Sequence, residues 1–444
     1  MFRINRSGWL PGAWALLASS SMWAQPAPQA ATGVPPTPVQ AVPSNAPAGA
    51  SQTTTLKQAF EAAWKRQPEA QSRQARQDAA VAHREAANSW TREPASLELS
   101  IKSDRLNQNQ GSREEAAGLA FPLWLPGERA RTGALADAEV RANASGWRVA
   151  QLRTAASVRE SYWQWQRTRG DDALARERLS NAQQLAADVV RRVRAGELAR
   201  ADQHQADGAV ATAEAALAEA LGALAAAAQQ LRALIGALPA PGVVSAMAPA
   251  SLTESAPEGI ADDAALQARH PALLALVDTV DLARRAADLA RIQTRANPEL
   301  TLSTARDRGE RGQPYQQNMT LGIRIPFGSD SRHRALVSGA QAKVIEAEGQ
   351  LALEQLRVLA ERDSASARLD AARAQLQAGE RRAQLARESR SFFRKSYQMG
   401  ETDLPTRLRI ELEALEAERH AGRARIEWAA GVSALRQALG LLPE

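Results

Sequence analysis

Five histidines, His83, His204, His270, His333 and His420, are the residues of this chain best suited to proton transfer or metal ligation. Their spacing does not support either. No two form an H-x-x-x-H pair, which would set both imidazoles on one helix face to hold zinc. None stands beside a carboxylate cluster with ligand spacing. There is no cysteine, which excludes disulfides, thiolate metal sites and lipid attachment through a thiol. The phosphate-cradling P-loop, the G-x-G-x-x-G dinucleotide fingerprint and the G-x-S-x-G nucleophile turn are absent. The chain therefore reads as a non-enzyme with no cofactor and no metal ligands, and each histidine as a surface residue on a helix.

What remains is charge. The 55 Lys and Arg against 49 Asp and Glu leave a formal net charge of +6, and the sequence pI is near 10.1. Such a balance raises nucleic acid as a partner. Here, however, Arg and Glu are interspersed at i, i+4 spacing, which makes solvated, ion-paired helix faces. No compact basic cluster stands out. The N-terminus also argues against nucleic acid. Arg3 and Arg6 precede the apolar stretch Trp9–Leu17 and the small residues Ala18–Ala24, the three-part pattern of a secretory signal over 1–24.

The elements that carry these charges are mostly long helices. Residues 25–54 are rich in Pro, Ala, Ser and Gln and read as a disordered leader. A first structural unit spans 55–237, with Thr55 as a helix N-cap. Within it two stretches, about 95–106 and 116–123, alternate apolar and polar residues as strands do. Pro122 ends the second strand, and from Pro126 a helical pattern runs to Arg194, roughly 100 Å of helix. Gly196 breaks it, and a further helix follows to Ile235. A Pro/Ala/Ser-rich linker occupies 238–263. The plan then restarts over 264–444, with strands at about 299–306 and 317–325, the junction at Pro326, and a long helix to Gln398 broken at Gly400. Several landmarks recur 204 residues apart, among them Pro94 and Pro298, Pro122 and Pro326, and Gly196 and Gly400. That register marks a tandem duplication.

Each strand is long enough to cross a bilayer obliquely, with one apolar face. Beyond the first thirty residues no continuous run of eighteen apolar residues occurs, so a spanning structure must be a β-barrel. Four strands are too few to close one, whereas three copies supply twelve in a symmetric ring. Trp90 and Trp124 flank the first hairpin, either as an interfacial aromatic girdle or as helix-packing residues. Val337, Ala340, Val344, Ala347 and Leu351 follow the 3-4 heptad spacing of a helix–helix seam, and the alanines let neighbours approach closely. The competing plan is a periplasmic coiled-coil scaffold without a pore, which leaves the four alternating segments unexplained.

In the duplication, the strand–Pro–helix junctions and the two glycine breaks, the sequence resembles the TolC-like outer-membrane efflux family from Leu56 onward. The resemblance implies a mostly α protomer with a small β part. Three such protomers form a homotrimer, with a twelve-stranded outer-membrane barrel continuous with a long periplasmic α-helical barrel. It implies an exit duct that conducts substrate passively, served by a periplasmic adaptor and an inner-membrane pump of the RND type. The segments FPLWLPGERARTGALA and RIPFGSDSRHRA look most like the branch serving cobalt–zinc–cadmium exporters, so heavy-metal cations are the expected substrate. Drug efflux and type I protein secretion are the alternatives. The resemblance makes the two glycine breaks adaptor-contact tips: Val193, Arg194, Gly196, Glu197 and Leu198, with Met399, Gly400, Glu401, Thr402 and Leu404. It also implies a gate hydrogen bond between Tyr397 and Asp202. Where some relatives place acidic rings, this chain has Thr406 and Arg409, which counts against an acidic, cation-binding constriction.

Overall fold

The computed structural model describes residues 55–106, 109–237, 254–257, 262–328 and 330–444. The expected signal peptide, the leader and most of the linker lie outside the described residues. Twelve elements follow in order: α1 (Leu56–Arg66), α2 (Pro68–Ala87), β1 (Ser96–Ser103), β2 (Arg113–Pro122), α3 (Glu128–Arg194), α4 (Arg200–Ile235), α5 (Asp263–Arg269), α6 (Pro271–Ile292), β3 (Glu299–Arg308), β4 (Gln316–Arg324), α7 (Asp330–Gln398) and α8 (Leu404–Ala438). The same sequence of two helices, two strands and two helices occurs twice.

Local chemistry sets the helix ends. Thr55 caps α1 reciprocally: its hydroxyl accepts from the Gln58 N–H at 3.2 Å, and the Gln58 amide oxygen accepts from the Thr55 N–H at 3.1 Å, the capping-box arrangement. Pro68 and Pro271 open α2 and α6 at the first helical position, where a missing N–H costs nothing. One face of α1, Leu56, Ala59, Phe60 and Ala63, is buried at helical spacing. It packs into a cluster with Tyr162, Trp163 and Trp165 of α3 and Leu231 and Ile235 of α4.

The four strands form one antiparallel sheet in the order β1-β2-β3-β4, so the two repeats meet at the β2–β3 pair. The strands begin and end within a few residues of the expected positions. β2 starts earlier, at Arg113, because charged residues continue the ladder beyond the apolar stretch, with Arg113 opposite Arg308. The outer edges of β1 and β4 have no strand partner among the described residues.

By length and composition α4 could cross a membrane, although no long unbroken apolar run announces it. Its apolarity is mostly alanine, and it packs antiparallel along α3, with Ala206, Ala213 and Ala227 among its few buried residues.

Two buried polar clusters tie the repeats together. Glu128, fully buried at the start of α3, accepts hydrogen bonds from the Leu125 N–H at 3.0 Å, Gln293 Nε2 at 3.0 Å and Asn297 Nδ2 at 2.5 Å, and pairs with Arg92 at 3.3 Å. Its place at a helix N-terminus also favours its negative charge. Glu254 does the same for the connector, facing Arg159 at 2.9 Å and Arg436 at 3.3 Å and accepting from the Ser433 hydroxyl. Burial lowers the Arg159 pKa, and the Glu254 carboxylate opposes that shift.

Replacing Glu128 with Ala leaves Arg92, Asn297 and a backbone N–H without their shared acceptor. A loss of about 3 kcal/mol is expected, read as a lower melting temperature by circular dichroism. An unchanged temperature would show that the cluster does not hold the strand–helix junction.

Candidate functional site

The two glycine breaks close by the same backbone device. Gly196 and Gly400 sit at φ +83° and +80°. The Glu197 N–H bonds the Arg192 carbonyl at 2.9 Å and the Glu401 N–H bonds the Ser396 carbonyl at 3.0 Å, the six-to-one closure of a helix C-terminus at a left-handed residue. A Cβ on either glycine would meet nothing within 4 Å. The positive φ, not crowding within the protomer, therefore demands glycine here, and the space beside each turn is open.

The structure divides the expected contact residues in two. Arg194, Gly196, Glu197, Met399, Gly400 and Glu401 are exposed. Leu404 is only 2% exposed, and Val193 and Leu198 pack with it, Val189, Ala206 and Tyr397. Leu404 is buried and Val193 and Leu198 are half-buried against it, so these three belong to the small core that holds the tips side by side. Sequence spacing alone does not separate the groups, because both lie within two turns of a glycine. Thr402 closes its own turn through a hydroxyl hydrogen bond with Ser396.

The expected Tyr397–Asp202 hydrogen bond is not made. Asp202 accepts from the Ala199 N–H at 3.0 Å, satisfying an otherwise orphaned donor at the start of α4. Tyr397 is 2% exposed and its hydroxyl has no hydrogen-bond partner among the described residues. Two guanidinium groups lie against its ring, Arg192 at 4.6 Å and Arg407 at 4.5 Å. Burial raises the Tyr397 pKa while both arginines pull it down. Burial lowers that of Arg407. Arg192 also donates to the Tyr397 carbonyl at 3.3 Å. An Arg–Tyr–Arg cluster thus links α3, α7 and α8 where a tyrosine–carboxylate link was expected. Neither arginine was singled out from the sequence, where both are lost among many helical arginines.

Above the tips, Arg390 is shared by Glu411 at 3.6 Å and Glu418 at 3.2 Å. Burial raises the Glu418 pKa and Arg390 opposes that shift. Thr406 and Arg409 carry local roles: the Thr406 N–H donates to the Asp403 cap at 3.3 Å, and Arg409 pairs with Glu413 at 3.0 Å. Among the described residues no group of three or more His, Asp or Glu could hold a metal ion.

At the other end, strand register sorts every sheet residue onto one of two faces. One face carries the row Leu97, Leu119, Leu302 and Leu321, then Leu99, Ala117, Thr304 and Met319. All five leucines and Met319 are exposed. The opposite face carries Glu98, Gly118, Ser303 and Thr320, then Ser100, Ala116, Ala305 and Asn318. A Cβ on Gly322 of this second face would sit 2.9 Å from the Thr301 hydroxyl, so small residues permit the sheet to curl that way. An apolar outside and a small, polar inside is the wall of a water-filled membrane barrel. Pro122 and Pro326 stand where this wall meets the helices. The Leu123 N–H reaches the Pro298 carbonyl at 2.7 Å, joining the exit of β2 to the entry of β3. Trp124 packs there, donating to the Ser89 carbonyl at 3.2 Å beside Arg92. Trp90 and Phe327 are 90% and 84% exposed. Of the two flanking tryptophans, only Trp90 presents its ring as a girdle residue does.

The chain matches the outer membrane efflux protein family over residues 56–237 and 264–441. No curated protein matches it. Among solved structures it is similar to CusC (18% identity, 88% of this chain and 92% of that chain covered, TM-score 0.71). It is also similar to VceC of Vibrio cholerae (19% identity, 88% and 97% covered, TM-score 0.66) and to the open state of the MtrE outer-membrane channel of Neisseria gonorrhoeae (16% identity, 87% and 89% covered, TM-score 0.70). The mostly helical, tandem-duplicated protomer read from the sequence is the fold of these channels.

Replacing Tyr397 with Phe removes only an unbonded hydroxyl, so pore conductance in planar bilayers should match wild type. Tyr397→Ala removes the ring that both arginines lie against and should raise it. A conductance change in the Phe variant would restore the hydrogen-bonded gate.

Proposed function

This chain belongs to the outer membrane efflux protein family and is an outer-membrane channel with a large periplasmic helical part. We propose that it works as a homotrimeric exit duct for heavy-metal cations, receiving substrate from an RND-type inner-membrane pump through a periplasmic adaptor. The observation that carries the duct is the four-stranded sheet with its outward apolar face and two unpaired edges. In hydrocarbon those edges must be paired, and three copies close them in a twelve-stranded ring. The energy for transport then comes from the pump, and this chain needs only to open and conduct.

The adaptor docks, on this reading, at the exposed members of the two tips: Arg194, Gly196, Glu197, Met399, Gly400 and Glu401. The open space beside both glycines supports it, since a partner helix can approach the backbone there. The buried Leu404, with the half-buried Val193 and Leu198, acts from behind, fixing the spacing of the tips.

The metal assignment rests on the likeness of the two junction segments to the cobalt–zinc–cadmium branch. Drug efflux is the second reading. It is favoured by Thr406 and Arg409, since an arginine already paired with Glu413 gives a cation no carboxylate ring to bind. A deletion strain separates the two. Sensitivity to zinc, cobalt or cadmium with normal antibiotic and detergent tolerance, restored by the wild-type gene, is the expected outcome. The converse profile would overturn the metal assignment and leave the duct.

Gly400→Trp should reduce resistance to the level of the deletion strain while heat-modifiable trimers still form in the outer-membrane fraction. Full resistance in that variant would remove the tips from the adaptor interface.

A further inference from the structure

The outward face of the sheet changes character toward the hairpin tips. Above the two leucine- and methionine-bearing rows comes Ile101, Glu115, Arg306 and Gln317, and above that Arg113 directly opposite Arg308. Three arginines and one carboxylate therefore share the lipid-side surface at its outer end. Glu115 answers one of them, at 3.5 Å from Arg113. Arg306 and Arg308 make no ion pair among the described residues. Both lie against Tyr315, at 4.2 and 5.0 Å from its ring, and Arg308 Nε donates to the Gly111 carbonyl at 3.1 Å. Lys102, Glu114 and Asp307 occupy the opposite face by register and do not neutralise the cluster.

Like charges directly opposite in an antiparallel pair destabilise it. A charged side chain on the lipid face costs about 2–4 kcal/mol at mid-bilayer and about 0–1 near the interface. The arrangement is tolerable only at headgroup depth, and is favourable only where an anion lies between the arginines. The depth fits. The Arg113–Arg308 row stands eight residues along the strands from the Phe121–Leu300 row, about 20 Å along the bilayer normal after allowing for strand tilt. Guanidinium groups match phosphate oxygens in pairs, and Tyr315 supplies the aromatic body typical of the interface.

We propose that Arg113, Arg306 and Arg308 bind the phosphate groups of the phosphorylated glycolipid that forms the outer leaflet. The proposal rests on the outer-membrane placement of the sheet. It assigns each protomer one lipid-phosphate site that orders the first shell of lipid around the barrel.

The test uses the full-length protein purified as a trimer in detergent, with lipid A carrying both its phosphates as probe and native mass spectrometry as readout. Wild type should retain lipid A and bind its dephosphorylated form at least about tenfold more weakly, the loss of charge-assisted hydrogen bonds. The R113Q/R306Q/R308Q variant should lose a similar factor, while K102Q, on the other face, binds as wild type does. Equal retention of the two lipid forms, or an unaffected triple variant, would overturn the site. So would displacement of lipid A by millimolar inorganic phosphate, which would assign it to free anions. If the triple variant does not assemble, the dephosphorylated comparison on wild type decides alone. Failure of wild type itself to appear as an outer-membrane trimer would defeat the channel reading instead.

Discussion

A sheet placed in hydrocarbon cannot leave backbone donors and acceptors unpaired, and this sheet has two bare edges. Each unsatisfied N–H or C=O in the bilayer core costs several kcal/mol, so a strand edge of eight or nine residues cannot stay open. The rest of the molecule can be understood from this one constraint. It sets the copy number, because four strands per chain reach closure only in multiples. It also sets the geometry of the junctions, since strands that tilt around a barrel must hand over to helices that run along its axis.

Glu128 makes that handover. Its carboxylate is buried at the first turn of a 67-residue helix and is surrounded by donors from four separate stretches: Arg92 before β1, Leu125 after β2, Gln293 at the end of α6 and Asn297 before β3. A buried charge with that many partners fixes directions more than it adds stability. The helix inherits its heading from the sheet, and over roughly 100 Å a small angular error at the junction would scatter the distal tips. The tips are then held by a different device, a small apolar core and the Arg192–Tyr397–Arg407 cluster, which need not transmit any force to the barrel.

The sequence made legible whatever depends on period and punctuation. Alternation located the strands, proline and glycine located the ends of helices, and a 204-residue register revealed the duplication. Thr55 was readable as a cap because capping depends on neighbours in sequence. What stayed hidden depends on neighbours in space. Asp202 was assigned to Tyr397 by likeness to relatives, yet a carboxylate three residues into a helix has a local N–H to satisfy and takes it. Leu404 and Val193 were assigned to the adaptor contact by likeness to relatives, but two turns that pack together bury Leu404 and half-bury Val193. Arg192 and Arg407 gave no signal in a chain so rich in arginine. Glu128 lay inside the most conspicuous segment of the sequence and still went unread, because nothing local shows that Gln293 and Asn297 reach it from the other repeat.

The two repeats are equal in plan and unequal in burial, and the inequality has a consequence. α3 buries nineteen of its residues, including Tyr162, Trp163 and Trp165, because α1, α2, α4, α6 and α8 all pack on it. α7 is two residues longer and buries six. Ile345, Leu353, Leu356, Leu385 and Phe392 remain exposed along it, and Met399 beyond its end. Leu385, Phe392 and Met399 are spaced at successive sevens, the period at which one helix presents a continuous seam to another. The alanine surface of α4 is left equally bare. Apolar surface of this extent on long helices is costly in water at about 25 cal/mol per Å², and among the described residues no further helix is available to cover it. The open edges of the sheet and the bare faces of α4 and α7 therefore call for the same remedy. A neighbouring copy that pairs β4 with β1 must also bring helix against helix below. Closure of the barrel in the membrane and closure of the helical tube in the periplasm are thus one assembly event, not two.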